Sequence, residues 1–360
     1  MPNLTNIPYP TKKLPIRRDS ILERILSIIA MFVIFVLTLT LAIETTAREE
    51  YSGSLNVLNW TSYVPDDVIR DFEEEYGIKV NYTTYSSNEE LLAKVSSSAP
   101  GTYDVIFPSD YMVSLMIYRD MLEPLDTTRL SHLDNINPVL LHQPYDADNT
   151  YSLPFLLATT LIAYDSELYP DITSYRDLFD DRLQNSLILL DDQRVIIGSM
   201  LATLGYDFND ISQDHLDDSL TLFDTLRPNI KAFDSDSPKT FLITGEADAG
   251  IIWNAEAILA REDRPSIATV YPEEGFVISM DNYCITRGAR NLDNAYLFID
   301  YLLRDDIAER IIAEYPYITS NRNVPQAASD DLDTILSHGT YIENVGSDIK
   351  KFDRTWSRYK

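Results

Sequence analysis

The chain has 360 residues and a formal net charge of −28. Such a surface disfavours nucleic acid and suits small cations, although acidity also serves simple solubility. A lone cysteine, Cys284, lies in an apolar strand-like run; it excludes an internal disulfide and a cysteine metal cage and reads as an inert buried thiol.

Residues 1–24 are polar, with Lys12, Lys13, Arg17, Arg18 and Arg24. Residues 25–43 follow as 19 uncharged positions broken only by Ser27, Thr38 and Thr40, close to the roughly 20 residues that span a bilayer as a helix. The basic flank keeps the N-terminus inside and sends the rest out. A signal peptide has an apolar region of about 7–15 residues, so the length favours a retained transmembrane anchor over a cleaved signal. Thr45-Thr46-Ala47 is only a fair cleavage site, and no cysteine is present here to carry a lipid. The first 48 residues hold six basic and three acidic side chains, which leaves −31 for the remainder. Beyond the N-terminal segment about 310 residues remain, enough for two domains or lobes.

Leu55, Val57 and Leu58 form a short apolar strand. Asn59, Trp60, Thr61, Ser62 and Tyr63 follow, and Pro65-Asp66-Asp67 opens a helix with proline and acids at the positive end of the dipole. Val68, Ile69, Phe72 and Tyr76 share its apolar face, and Gly77 ends it. Ile78, Val80 and Tyr82 alternate as a strand, and Ser86-Ser87-Asn88-Glu89 caps a helix that runs through Val95. Residues 103–107 are a buried strand ending at Pro108-Ser109-Asp110-Tyr111 before another helix. Residues 151–164 are a long apolar stretch interrupted by Pro154. Residues 187–190 are a strand ending at Asp191-Asp192, and residues 249–253 are a strand ending at Asn254-Ala255-Glu256. Residues 276–285 are a strand containing Asp281, and a long helical region covers residues 291–313. Strands alternating with helices define an α/β sheet, expected to be mostly parallel.

Four strand-to-helix junctions thus carry polar or aromatic groups: Trp60 and Tyr63; Ser109, Asp110 and Tyr111; Asp191 and Asp192; Trp253 and Glu256. Carboxyl ends of parallel strands gather on one side of a sheet, where ligands bind. Aromatic faces with carboxylates suit an organic cation with an aliphatic body. Taken singly, Trp60, Tyr63 and Trp253 fit a core role equally well, and Asp191 and Asp192 fit helix capping.

Leu58-Asn59-Trp60-Thr61-Ser62-Tyr63-Val64-Pro65, Tyr76-Gly77-Ile78-Lys79-Val80, Ser87-Asn88-Glu89, Tyr103-Asp104-Val105-Ile106-Phe107-Pro108-Ser109 and Ile252-Trp253-Asn254 resemble the bacterial spermidine/putrescine-binding proteins, extracytoplasmic receptors of polyamine ABC importers. The likeness runs from about residue 55 to residue 321. It implies a two-lobed, type II periplasmic-binding-protein-like fold with hinge strands, one lobe built from residues 53–157 and 283–323 and the other from 158–282 and 324–360. It implies a polyamine site lined by Trp60, Tyr63, Ser109, Tyr111, Asp192, Trp253, Asp281 and Tyr317, with Asp192 and Asp281 pairing with amines. It implies as partners a membrane permease pair and a cytoplasmic ATPase. This chain departs from the family at Ser62 and Val195, where glutamates are usual, and at Ser279 and Leu157, where tryptophans are usual. A late glutamine falls near Ile342 or Glu343. Thr61, Asp110, Glu256 and Glu343 are candidates for additional contacts or replacement charge.

Other readings are a receptor for another organic cation or small solute, an anchored extracellular enzyme, and a structural surface protein. His132, His142, His215 and His338 are scattered without metal-ligand spacing, and none adjoins a nucleophile motif. No phosphate-binding glycine loop is present, so no cofactor or metal is expected and the enzyme reading ranks low.

Overall fold

The computed structural model describes residues 53–326 and 332–360, together with Ile29. Of residues 25–43 only Ile29 falls among them, so the expected anchor and cytoplasmic segment lie outside the described residues. No helix among those described is long and apolar enough to cross a membrane.

The first strand, β1 (Gly53–Trp60), buries Leu55, Val57 and Leu58. Helix α1 (Asp66–Tyr76) follows, with Asp66 and Asp67 in its first turn. It stops at Gly77, whose φ of 68° places its N–H on Glu73 O; a left-handed residue of this kind favours glycine. The chain continues through β2 (Ile78–Tyr85), α2 (Asn88–Ser97), β3 (Val105–Ile106) and α3 (Asp110–Tyr118). Ser87 caps α2 by accepting the Glu90 N–H at 3.2 Å. The apolar stretch around Pro154 is one continuous strand, β4 (Ser152–Asp165), buried at all 14 positions and bulged between Pro154 and Leu156. The bulge absorbs the missing proline N–H.

Next come β5 (Leu187–Leu189), α4 (Gln193–Thr203), α5 (Gln213–Leu226), β6 (Ile230–Phe233), α6 (Lys239–Thr244), β7 (Ala249–Trp253), α7 (Asn254–Asp263) and β8 (Ile267–Val270). Then follow β9 (Phe276–Ile285), α8 (Leu292–Leu302), α9 (Asp305–Glu314), β10 (Ile318–Thr319), α10 (Leu332–His338), β11 (Gly339–Tyr341) and α11 (Ile349–Tyr359). The single long helix expected over residues 291–313 is two helices. Arg304 stands at the break in an extended conformation (ψ 145°), its guanidinium holding Asp306 at 2.7 Å and Glu75 at 3.0 Å. Cys284 is buried and free, and burial pushes its thiol well above the usual range.

The strands pair in the order β2-β1-β3-β9-β4-β7-β5-β6. β1 is parallel to β2 and β3, and β5 is parallel to β6 and β7. β9 runs antiparallel to β3 and β4, and β4 runs antiparallel to β7 and β8. The sheet is therefore mixed, not mostly parallel. A chain that crosses from one half of the sheet to the other and back must pair with itself antiparallel. β4 gives Leu153 and Phe155 to one core, with Phe72, Phe298 and Tyr301, and Ile162 and Tyr164 to another, with Ile197, Phe223 and Tyr359. β9 does the same with Tyr283 and Val277. Two α/β halves thus share two through-running strands.

Candidate functional site

All four polar strand ends open into one cleft of about 660 Å³. Its floor is Asp281 on β9, 2 % exposed. Ser109 Oγ donates to Asp281 Oδ1 at 2.6 Å, and Tyr63 OH donates to Oδ2 at 2.6 Å. Asn88, at the start of α2, fixes Ser109 by donating Nδ2 to its Oγ at 3.0 Å and accepting its N–H at 3.2 Å. Asp281 makes no ion pair among the described residues, so its neighbours here are neutral donors. Burial raises its carboxyl to about 7, against the lowering effect of those hydroxyls.

An aromatic wall stands over this carboxylate. Trp60 donates its indole N–H to Phe107 O at 3.0 Å and lies 4.6 Å from the Tyr85 ring; Tyr63 lies 4.8 Å from Tyr317. The turn after β1 holds Ser62 at φ 58°, a left-handed conformation uncommon for serine, which turns the chain between Trp60 and Tyr63. Trp253, at the end of β7, packs against both main cores and lines the opposite wall.

The second half contributes Asp192, whose Oδ1 caps α4 by accepting the N–H groups of Arg194 at 2.8 Å and Val195 at 3.1 Å. Desolvation in the cleft raises Asp192 despite those bonds. Facing it from α2 is Glu89, which accepts from Tyr111 OH at 3.1 Å. Desolvation and then the Asp192 charge push Glu89 upward. At the mouth, Asp236 is raised by desolvation and by Asp234, Glu90 and Asp191. Carboxylates from both halves therefore face one another, with the Arg194 guanidinium offsetting part of their repulsion, and an entering cation relieves more of it. Three atoms of lining residues, Gln193 Oε1, Ser235 Oγ and Arg194 Nε, are buried without a hydrogen-bond partner, and an amine donor reaching either of the two oxygens would remove its cost.

The structure brings together Trp60, Tyr63, Ser109, Tyr111, Asp192, Trp253, Asp281 and Tyr317, and with them Thr61 and Glu256. Asp110 and Glu343 are not among the lining residues. Asp110 is buried behind the wall, accepting from Met280 N at 3.1 Å and its own neighbour Tyr111 N at 2.6 Å; Glu343 is exposed, with only its backbone bonded to Asn209 and Arg194. Of the four departures, Ser62 and Ser279 line the cleft, whereas Val195 and Leu157 are fully buried in apolar cores. Sequence reasoning missed Glu89, Asp234, Asp236, Asp353 and Trp356. Phe352, Trp356 and Tyr359, the aromatics of an otherwise polar C-terminal tail, are the one sequence signal that bears on Trp356.

A cleft between two α/β halves, floored by a buried carboxylate and walled by aromatics, defines a solute-binding protein of the two-lobed periplasmic type. Residues 67–334 match the family of bacterial extracellular solute-binding proteins, and the chain belongs to that family. A spermidine/putrescine-binding periplasmic protein of Salmonella typhimurium is 33% identical over 88% of this chain and 94% of its own length. Among solved structures, a Listeria monocytogenes protein assigned to a spermidine/putrescine ABC transporter superposes with a TM-score of 0.80 at 29% identity, covering 85% of this chain and 98% of that one. The substrate-binding protein of a spermidine/putrescine ABC transporter from Streptococcus pneumoniae gives 0.72 at 28% identity, covering 86% and 100%. The family is one of solute receptors rather than enzymes, and its members act outside the cytoplasm.

Proposed function

We propose that this protein captures polyamines of the spermidine and putrescine class in its cleft and hands them to a membrane permease pair driven by a cytoplasmic ATPase. The observation that carries the reading is Asp281, a cleft-floor carboxylate with hydroxyl donors but no cation of its own, under the rings of Trp60, Tyr63 and Tyr317. An ammonium leaving water must regain hydrogen bonds and a counter-charge, while its methylene chain gains from apolar and aromatic faces. Asp281 and Asp192 are the proposed amine partners; Trp60, Tyr111, Trp253 and Tyr317 wall the chain between them. Residues 53–157 with 283–323 form one lobe and 158–282 with 324–360 the other, and β4 and β9 act as the hinge.

Residues 25–43 anchor the receptor outside the membrane in this reading, on the strength of their apolar length. A thermal-shift titration of the full chain with putrescine, spermidine, spermine and a neutral diol of matched length tests the ligand class, since a ligand that binds only the native state raises its stability. All three amines should raise Tm and the diol should not. No shift with any amine would sink the polyamine reading, and a mature N-terminus near Arg48 would sink the anchor.

A further inference from the structure

Two of the cleft carboxylates are already matched by lysines of this chain. Lys360 pairs with Asp191 at the rim, where both side chains are more than two-fifths exposed and solvent screens them. The second pair differs in setting. Lys239, the first residue of α6, places Nζ 2.8 Å from Glu256 Oε1 and 2.9 Å from Oε2, and the Glu256 side chain is only 8% exposed. Glu256 sits in the first turn of α7, three residues after Trp253, and lines the cleft. Its charge reaches Tyr317, whose ring lies 4.8 Å from that of Tyr63 at a tilt of 35°, and Tyr63 donates to Asp281. Glu256 therefore belongs to the same end of the cleft as the floor carboxylate, with both oxygens taken by an internal ammonium.

We infer that Lys239 is a specificity-determining residue: its ammonium occupies from within the protein the counter-charge that a third ligand ammonium would need at Glu256, so the cleft favours a diamine over a triamine. This rests on the polyamine reading above. Asp281 makes no ion pair among the described residues, and Asp192 feels the nearby Arg194 guanidinium only through space, because that guanidinium donates to Glu343 O at 3.0 Å and Asn209 Oδ1 at 2.7 Å; both carboxylates keep acceptors open to an ammonium group. A third, arriving at Glu256, meets a carboxylate whose acceptors are filled and a like charge directly behind it. Buried like charges are costly, whereas the same pairing at the exposed rim is nearly neutral. Neighbouring Asp234 has its Oδ1 occupied by the N–H groups of Asp236 at 2.8 Å and Ser237 at 2.9 Å.

Calorimetric titration of the full chain with putrescine and spermidine tests this, using the parent, Lys239→Met and Glu256→Gln. Methionine keeps the apolar stem and removes the charge, so the spermidine-to-putrescine affinity ratio should rise by at least about tenfold. Glu256→Gln leaves Lys239 unpaired against the cleft and should lower the same ratio by about tenfold or more. The two variants move the ratio in opposite directions, and either is informative if the other fails to fold. A ratio that stays within about threefold of the parent in the folded variants overturns the role of Lys239 while leaving polyamine binding intact. A parent that binds neither amine overturns both readings.

Discussion

Asp281 is the residue whose ionisation decides what the cleft can hold. Burial raises it to about 7, and Asp110, behind the same strand, is likewise raised to about 7 by burial and by the Asp281 charge. Tyr63, Tyr85 and Tyr317 beside Asp281, and Tyr145 beside Asp110, are pushed far above neutrality by burial, so they stay protonated, while the Arg194 charge pulls Asp110 the other way. An acid whose folded pKa is raised favours the folded state while protonated. That contribution is complete below the ordinary carboxylate range of about 4 and is lost as pH rises through about 7. Ligand binding has the opposite sign, because an ammonium needs the anion. Putrescine affinity should therefore rise with pH between about 5.5 and 7, by at most about tenfold per pH unit for a single proton, and level off above. Asp281→Asn should flatten that profile and weaken binding by about 2–5 kcal/mol; titrations at several pH values check both, and a flat parental profile would remove Asp281 from the amine contact. The residues at strand ends were legible in the sequence because the period changes there from two to 3.6, which marks Trp60, Ser109, Asp192 and Trp253. Glu89 lies at another such junction, where Ser86-Ser87-Asn88-Glu89 reads as helix capping alone, and Asp234 and Asp353 carry no such mark. They lie on helix or loop surfaces, and only the folding of distant segments turns them into the cleft.

At the scale of elements, β7 was legible to the residue: Ala249–Trp253 is a buried apolar run bounded by polar groups. Its pairing partners were not. Periodicity reports which face of a strand is buried and says nothing of which strand lies beside it, so the antiparallel placement of β4 and β9 was invisible. The break between α8 and α9 was equally hidden, since Leu302, Leu303 and Ile307 continue an apolar helical pattern straight across it. Gly250 shows why β7 must carry a glycine. A Cβ there would stand 2.3 Å from Ile188 O and 2.4 Å from Ile188 Cγ2 on β5, the first a backbone atom that cannot swing aside. Gly250→Ala should force β5 and β7 apart and destabilise the fold by roughly 1–3 kcal/mol or more, as overpacking does. Urea unfolding measures it: a lower midpoint at an unchanged m-value is the expected result. A midpoint equal to the parent's would mean that the two strands can separate at no cost. Because β7 delivers Trp253 to the cleft wall, the same variant should also weaken amine binding.

For the whole molecule, the charge of −28 sets the long-range field and the cleft sets its focus. Glu89 from one half faces Asp192 and Asp353 from the other, and Asp236 faces Glu90. The lining carboxylates outnumber the one lining arginine, Arg194, and a cleft dominated by one sign of charge within low-dielectric walls concentrates field lines and raises the encounter rate of an oppositely charged ligand. The chain has three tryptophans, and Trp60, Trp253 and Trp356 all line this cleft, so intrinsic fluorescence reports its occupation without a label. Stopped-flow mixing should show association falling by about tenfold or more as ionic strength rises from about 0.02 M to about 0.5 M, with dissociation far less affected. The effect should be steeper for a triply charged amine than for a doubly charged one, because steering scales with ligand charge. That comparison separates steering from final affinity. Lys239 acts at close range on the bound third ammonium, whereas the field acts on all the ligand's charges before contact. A spermidine that associates faster than putrescine yet also leaves faster would show both at work in one molecule. Association rates indifferent to salt for both amines would mean that the acidic surface serves solubility alone and that capture depends only on the contacts inside the cleft.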